Sequence, residues 1–221
     1  MTQRRALLLF ATGLFLLTFA CGPRYSRLTV PAKFTRKAPA VYRARFETTK
    51  GPFVIEVHRD WAPLGADRFY NLVRGGFYDG ERFFRTLPKF VVQWGIPPKP
   101  AVAKAWGDTT RIPDDPVTQS NTRGFVSFAT SGPNTRTAQL FVNMTDNARL
   151  DKLGFAPFGK VVQGMEVFDK LYAEYGEGAP RGKGPEQKRL REEGEEYLAK
   201  EFPLLDKIRK ARIQRRYWWG K

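Results

Sequence analysis

The sequence predicts a mainly β domain, an antiparallel barrel or sandwich, and three observations carry that prediction. Short apolar runs recur at Arg82–Thr86, Phe90–Trp94, Gly124–Ala129, Gln139–Met144 and Phe158–Val162, each set off by Gly, Pro, Asn or Asp. Ahead of them, two stretches that alternate apolar and polar residues flank a turn. Eighteen Phe against three Met point to a core of rigid rings, as small barrels and sandwiches often have. With 221 residues, 42% hydrophobic and 14% aromatic, the chain has room for one domain of ordinary size plus tails.

From the N-terminus, Arg4 and Arg5 precede an apolar run, Ala6 to Ala20, that ends at Cys21, Gly22 and Pro23. Residues 1–20 therefore read as an export signal. The run is shorter than the roughly 20 residues needed to cross a bilayer, which counts against a permanent transmembrane helix. Cys21 is the only cysteine, so an internal disulfide and a multi-cysteine metal site are excluded. Its position resembles the lipid-attachment site of bacterial lipoproteins, although Thr18 and Phe19 stand where such signals usually carry Leu and a small residue. Cleavage after Thr18-Phe19-Ala20, leaving a free thiol, and retention of the run as an anchor are the alternatives.

Residues 21–40 mix prolines and basic residues without apolar periodicity and are expected to be a tether. The domain is expected over 41–215. Val41 to Thr48 and Phe53 to His58 alternate around Lys50-Gly51-Pro52, which predicts a hairpin. Ala66, Phe69, Tyr70 and Val73 recur at helical spacing between Pro63 and Gly75-Gly76, which predicts an amphipathic helix. After the strand-like runs, Met165 to Tyr172 predicts a second, short helix behind Gly164. Tyr175 to Pro185 is expected to be loop, 186–201 a charged helical stretch, and Arg209 to Gln214 a last strand. Residues 216–221 form a basic and aromatic tail.

The formal charge of +16 is unevenly placed. Residues 22–45 hold seven Lys or Arg and no acid, and residues 181–221 hold thirteen basic against seven acidic residues, so that 46–180 is close to neutral. The basic and aromatic tail suits an anionic membrane surface or cell-wall polymer, a frayed C-terminus being the alternative. A nucleic-acid-binding reading rests on charge alone, and the export signal argues against it.

The run Phe83-Phe84-Arg85-Thr86-Leu87-Pro88-Lys89-Phe90-Val91-Val92-Gln93-Trp94-Gly95 resembles the F-H-R-x-I-x-x-F-x-x-Q-G-G signature of cyclophilins. Phe128-Ala129-Thr130-Ser131-Gly132-Pro133-Asn134-Thr135-Arg136-Thr137-Ala138-Gln139-Leu140-Phe141 is similar to the family's M-A-N-x-G-P-N-T-x-x-S-Q-F-F segment. Leu150-Asp151, followed by Gly154 to Val161, is similar to its L-D-x-x-x-x-x-F-G-x-V segment. The three occur in order and span about residues 40–175.

The resemblance implies a closed antiparallel eight-stranded barrel capped by two helices, here with an extra C-terminal helical segment. It implies a monomeric peptidyl-prolyl cis-trans isomerase that needs no cofactor and acts on proline-containing polypeptides. The substrate groove would lie outside the barrel. Carried over by position, Arg85, Gln93 and Phe90 would be catalytic, and Phe141, Leu150, Ala129, Thr130, Gln139, Val91 and Phe155 would bind the peptide. With the export signal, the expected setting is the cell envelope, on a lipid anchor at Cys21 or as a soluble periplasmic or secreted form.

Several positions depart from the family pattern. Arg149 and Phe155 stand where members with strong cyclosporin affinity carry Trp and His, so weak cyclosporin inhibition is expected. Trp94 replaces a glycine beside Gln93 and either narrows the groove or packs beneath it. Phe84 replaces a histidine, which should cost little if that side chain serves packing. Trp94 and Arg149 keep open the alternative of a non-catalytic peptide-binding or chaperone module. His58, the only histidine, ends the early hairpin away from the three segments.

Overall fold

The structure is a computed structural model that describes residues 25–214. The expectations for the export signal 1–20, for Cys21 and for the tail 216–221 lie outside the described residues. Strand β1 (Val41–Thr48) alternates exposed and buried residues along its length and pairs antiparallel with β2 (Gly51–His58), Thr48 opposite Gly51. The tight turn between them needs Gly51, whose φ of 122° is one that side chains rarely adopt.

Strands β3 (Arg85–Thr86), β4 (Val91–Trp94), β5 (Phe125–Phe128), β6 (Leu140–Asn143), β7 (Pro157–Gln163) and β8 (Ile208–Ile213) complete one eight-stranded sheet, ordered β3-β4-β6-β5-β7-β2-β1-β8. Every ladder is antiparallel. The expected closed barrel is corrected to a half-barrel, because no ladder joins β3 to β8. The reason is local: β3 is only two residues long, and the segment before it forms a single bridge, Arg82 to Lys207, with the residue just ahead of β8. Around that bridge, Gly80 and Phe83 donate N–H to the carbonyls of Ile208 and Asp206, and Ile208 donates to that of Glu81.

The concave side is filled by rings. Phe46 and Phe53 stack at 4.7 Å, and Phe69 and Phe158 lie 5.0 Å apart, all fully buried. Helix α2 (Pro63–Gly75) has Pro at its first position and ends at Gly76 in the left-handed region. Its first N–H groups, on Leu64 and Gly65, donate to the Asp115 carboxylate. Asp115 also pairs with the buried Arg136 at 3.0 Å, which ties the loop after β5 to the start of α2.

The tether expectation is corrected over the described part of 21–40. Short helix α1 (Tyr25–Leu28) docks there, with Leu28 buried and its carbonyl accepting the Trp106 indole N–H at 2.7 Å. Further along, the N–H groups of Arg36 and Ala38 donate to Asn71 and Asp67 of α2. Helix α3 (Pro100–Ala105) leads into Trp106, and α4 (Met165–Asp169) is shorter than its apolar spacing predicted. The stretch 186–201 is two helices, α5 (Gln187–Glu193) and α6 (Glu195–Glu201), because Gly194 breaks it at φ 66°, ψ −139°. They bury Leu190, Tyr197 and Leu198 in a second cluster with Phe84, Ile96 and Phe202, so the Phe84 side chain serves packing. Among the described residues no helix is long and apolar enough to cross a membrane.

Candidate active site

On β3, β4 and β6 the register brings Arg85 opposite Gln93, and Gln93 opposite Phe141. Directly opposed antiparallel residues share a face, so these three side chains stand in one row on the convex side. The next row, Trp94 opposite Leu140 opposite Phe128, faces the interior. Trp94 therefore packs beneath the groove, fully buried against Phe46, Phe53, Phe83 and Phe168.

Two members of this row, with the adjacent Gln139, form a hydrogen-bonded row of polar side chains. Arg85 Nη1 donates to Gln93 Oε1 at 3.1 Å, and Gln93 Nε2 donates to Gln139 Oε1 at 2.8 Å. A guanidinium only donates, so it fixes which way the Gln93 amide points, and one Gln93 N–H remains for another acceptor. The Arg85 guanidinium also lies 5.6 Å from the centre of the Phe90 ring.

Beside this row, Val91, Phe141 and Leu150 form a small buried apolar cluster separate from the main core, with Phe90, Ala129 and Phe155 packed against it. Phe141 and Phe155 meet edge to face at 5.5 Å. A turn of 3₁₀ helix, Ala148–Leu153, ends at Gly154 and folds Phe155 back so that its N–H donates to the Leu150 carbonyl. Asp151 holds that turn by accepting from Ser120 and Asn121, and Asn147 and Met144 both donate to the Phe90 carbonyl. Three segments distant in sequence thus build one apolar patch bordered by the Arg85–Gln93–Gln139 row.

A cavity of about 380 Å³ opens at the other end of the row, with Gln93, Gln139, Ala129, Thr130 and Trp106 in its lining. All ten described residues singled out from the sequence fall on the row, the patch or this cavity. The Ala129 N–H donates to the Gln139 carbonyl at 2.9 Å, and the Thr130 hydroxyl is turned into its own loop, bonded to Thr135 and to the Gly132 carbonyl.

One site residue was missed. Glu177, in the loop 175–185, grips Arg85 with both carboxylate oxygens, from Nε at 2.6 Å and Nη2 at 2.7 Å. Donation from Arg85, against the opposing effect of partial burial, holds the Glu177 carboxyl below its usual range, and the Gly178 N–H and Arg181 add to this. The loop has no apolar periodicity, so its only sequence signal is an acid among glycines. His58 is remote from these groups: it stacks on Trp61 at 4.1 Å and meets Glu56.

A family model described as cyclophilin type peptidyl-prolyl cis-trans isomerase/CLD matches residues 43–191. A peptidyl-prolyl cis-trans isomerase of Acinetobacter baylyi is 34% identical over 135 residues, covering 57% of this chain and 69% of that protein. Peptidyl-prolyl cis-trans isomerase A of Dickeya dadantii is 38% identical over 129 residues, covering 56% of this chain and 67% of that protein. The crystal structure of a cyclophilin type isomerase of Cryptosporidium parvum covers 80% of this chain and 99% of its own at a TM-score of 0.59 and 19% identity, a likeness of fold.

Proposed function

Because this chain belongs to the cyclophilin-type peptidyl-prolyl cis-trans isomerase family and is an enzyme of that kind, we propose that it turns Xaa-Pro bonds with the Arg85 guanidinium as its electrostatic centre. The observation that carries this reading is the donor row Arg85–Gln93–Gln139 bordering an apolar patch on the outside of the sheet. Amide resonance sets a barrier of roughly 18–20 kcal/mol to rotation. In the twisted state the lone pair of the prolyl nitrogen is localised and accepts a hydrogen bond that neither planar isomer offers. An N–H of Arg85 donates to it there, so the interaction is strongest at the transition state.

Phe90, Phe141, Leu150 and Phe155 hold the proline ring while the other side of the bond swings, and Val91 forms the rim. The spare N–H of Gln93 meets the rotating carbonyl. Gln139 keeps Gln93 oriented, and the Ala129 carbonyl with the Thr130 backbone pins the flanking chain. The test is cis–trans exchange in an Xaa-Pro peptide, followed by NMR with the full chain and with Arg85→Ala. A fall of tenfold or more, about 1.4 kcal/mol or more in the barrier, is expected with the fold intact. Parent-like exchange in the variant would sink the role given to Arg85.

The clients of this reading are exported proteins, whose folding waits on isomerisation that takes tens of seconds or longer uncatalysed. Arg4, Arg5, the run Ala6 to Ala20 and Cys21 support export with lipid attachment at Cys21. Residues from α1 onward pack on the domain, so a lipid on Cys21 would hold the enzyme within roughly 15 Å of the bilayer, the reach of the few residues between. Labelling cells with a radioactive fatty acid tests this. The parent is expected to carry label and sediment with membranes, and Cys21→Ser to do neither; label on Cys21→Ser would overturn it.

A further inference from the structure

Arg85 has five N–H donors in a rigid plane, and how many are free decides what it can do. Glu177 takes the Nε–H and one N–H of Nη2 along a single edge, and Gln93 takes one N–H of Nη1. One N–H on each terminal nitrogen is left without a partner among the described residues. Glu177 itself comes from 92 residues further along the chain.

The carboxylate is held by its own loop independently of Arg85. Its Oε1 accepts the Gly178 N–H at 2.9 Å, its carbonyl accepts the Gly184 N–H at 2.8 Å, and Gly178 bridges to Gly184. A Cβ on Gly182 or Gly184 would collide with the Glu177 carbonyl, so only glycine fits around it. At the start of the loop, Tyr175 packs edge to face on Phe202 at 5.0 Å, fixing it to the cluster under α5 and α6.

A carboxylate on a guanidinium either competes with the substrate or aims the guanidinium at it. Competition would require Glu177 to occupy the donors a substrate needs, yet it occupies one edge and leaves an N–H on each terminal nitrogen. Aiming is needed because the Phe90 ring that Arg85 lies against, 5.6 Å from its guanidinium, offers no hydrogen-bond direction to fix the plane. An arginine side chain also carries rotamer freedom that must be removed before it can donate in one direction. We propose that Glu177 is a positioning residue for the isomerisation, holding one edge of Arg85 so that its remaining N–H groups face the prolyl nitrogen. This rests on the proposed role of Arg85.

The charged groups facing Glu177 are Arg85 from β3 and Arg181 from its own loop, and both favour its ionised form. The fork therefore survives mild acid and opens only below the usual carboxylate range. The experiment is NMR exchange on an Xaa-Pro peptide with the full chain, Glu177→Ala, the isosteric Glu177→Gln and Arg85→Ala, giving kcat and KM separately from pH 7 to pH 4. Glu177→Ala is expected to lower kcat about tenfold with KM within about twofold, since misaiming a group costs the chemical step more than binding. Glu177→Gln, which can still accept one N–H, should fall between. Over this range the parent kcat should show no acid limb from Glu177, because the fork opens only below the usual carboxylate range. A kcat at or above that of the parent in both Glu177 variants, or an effect on KM alone, overturns the proposal. Parent-like activity in Arg85→Ala instead removes the role of Arg85 on which it rests, so the two failures are told apart.

Discussion

On β4, Val92 and Trp94 face the interior while Val91 and Gln93 face outward, and the two faces have different kinds of neighbours. Inside, Trp94 lies among four Phe rings at centroid distances of 5.6 to 6.4 Å with no solvent exposure. Outside, Gln93 bonds to two polar side chains and keeps a donor spare, and Val91 belongs to a patch of three buried apolar residues cut off from the main core. Alternation along a strand thus separates stability from chemistry by one residue. Substitutions on the inner face should move unfolding, and those on the outer face catalysis.

The largest effect that would break this separation lies at Trp94. Trp94→Ala is expected to cost about 3–5 kcal/mol of unfolding free energy in a denaturant titration. A much smaller cost would mean that the half-barrel interior is loosely packed. On the outer face, Phe141→Ala should lower kcat/KM about tenfold, roughly 1.4 kcal/mol, chiefly through a weaker hold on the proline ring. An unchanged kcat/KM would remove the patch from the site.

Glu81 sharpens the comparison at the seam between β3 and β8. It is fully buried, and its carboxyl oxygens lack a well-formed hydrogen bond, although the Gly95 N–H favours its charge. Burial pushes its pKa well up. The folded protein keeps a proton that the unfolded chain releases above its ordinary value of 4.5, so this contribution to stability is present below that pH and lost as pH rises. Glu81→Gln should therefore stabilise the fold by about 1–2 kcal/mol near pH 8 and by less near pH 5. Equal gains at both would contradict the raised pKa of Glu81. The smallest effect is expected at Arg149, exposed above Phe90: Arg149→Ala should change peptide affinity by about 0.5–1 kcal/mol, read by titration calorimetry.

The sequence was most informative where local pattern and three-dimensional neighbourhood coincide. The apolar runs became β3 to β7 to within a few residues, because each run is bounded by residues that end strands. Arg85, Gln93 and Phe141 do meet, since register across β3, β4 and β6 determines which residues share a face, while Phe90 and Leu150 reach them from the turns beside those strands. Glu177 stayed hidden because its partner is distant in sequence and its loop owes its shape to glycine packing. Residues 25–38 were misread because Leu28 and Trp106 meet through a carbonyl and an indole N–H, a contact with no sequence period. The open seam was equally hidden, because the length of β3 depends on where its partner's ladder ends.

The most direct test of the separation is one paired measurement, kcat/KM for an Xaa-Pro peptide and unfolding free energy, on the parent, Arg85→Lys and Val92→Ala. Arg85→Lys keeps the charge but loses the planar fork. It is expected to lose tenfold or more in kcat/KM with a stability loss of no more than about 1 kcal/mol. Val92→Ala, one residue from Gln93 and pointing inward, should lose about 1–3 kcal/mol of stability with kcat/KM within about twofold. Activity lost equally in both variants, or retained by Arg85→Lys, would contradict the account.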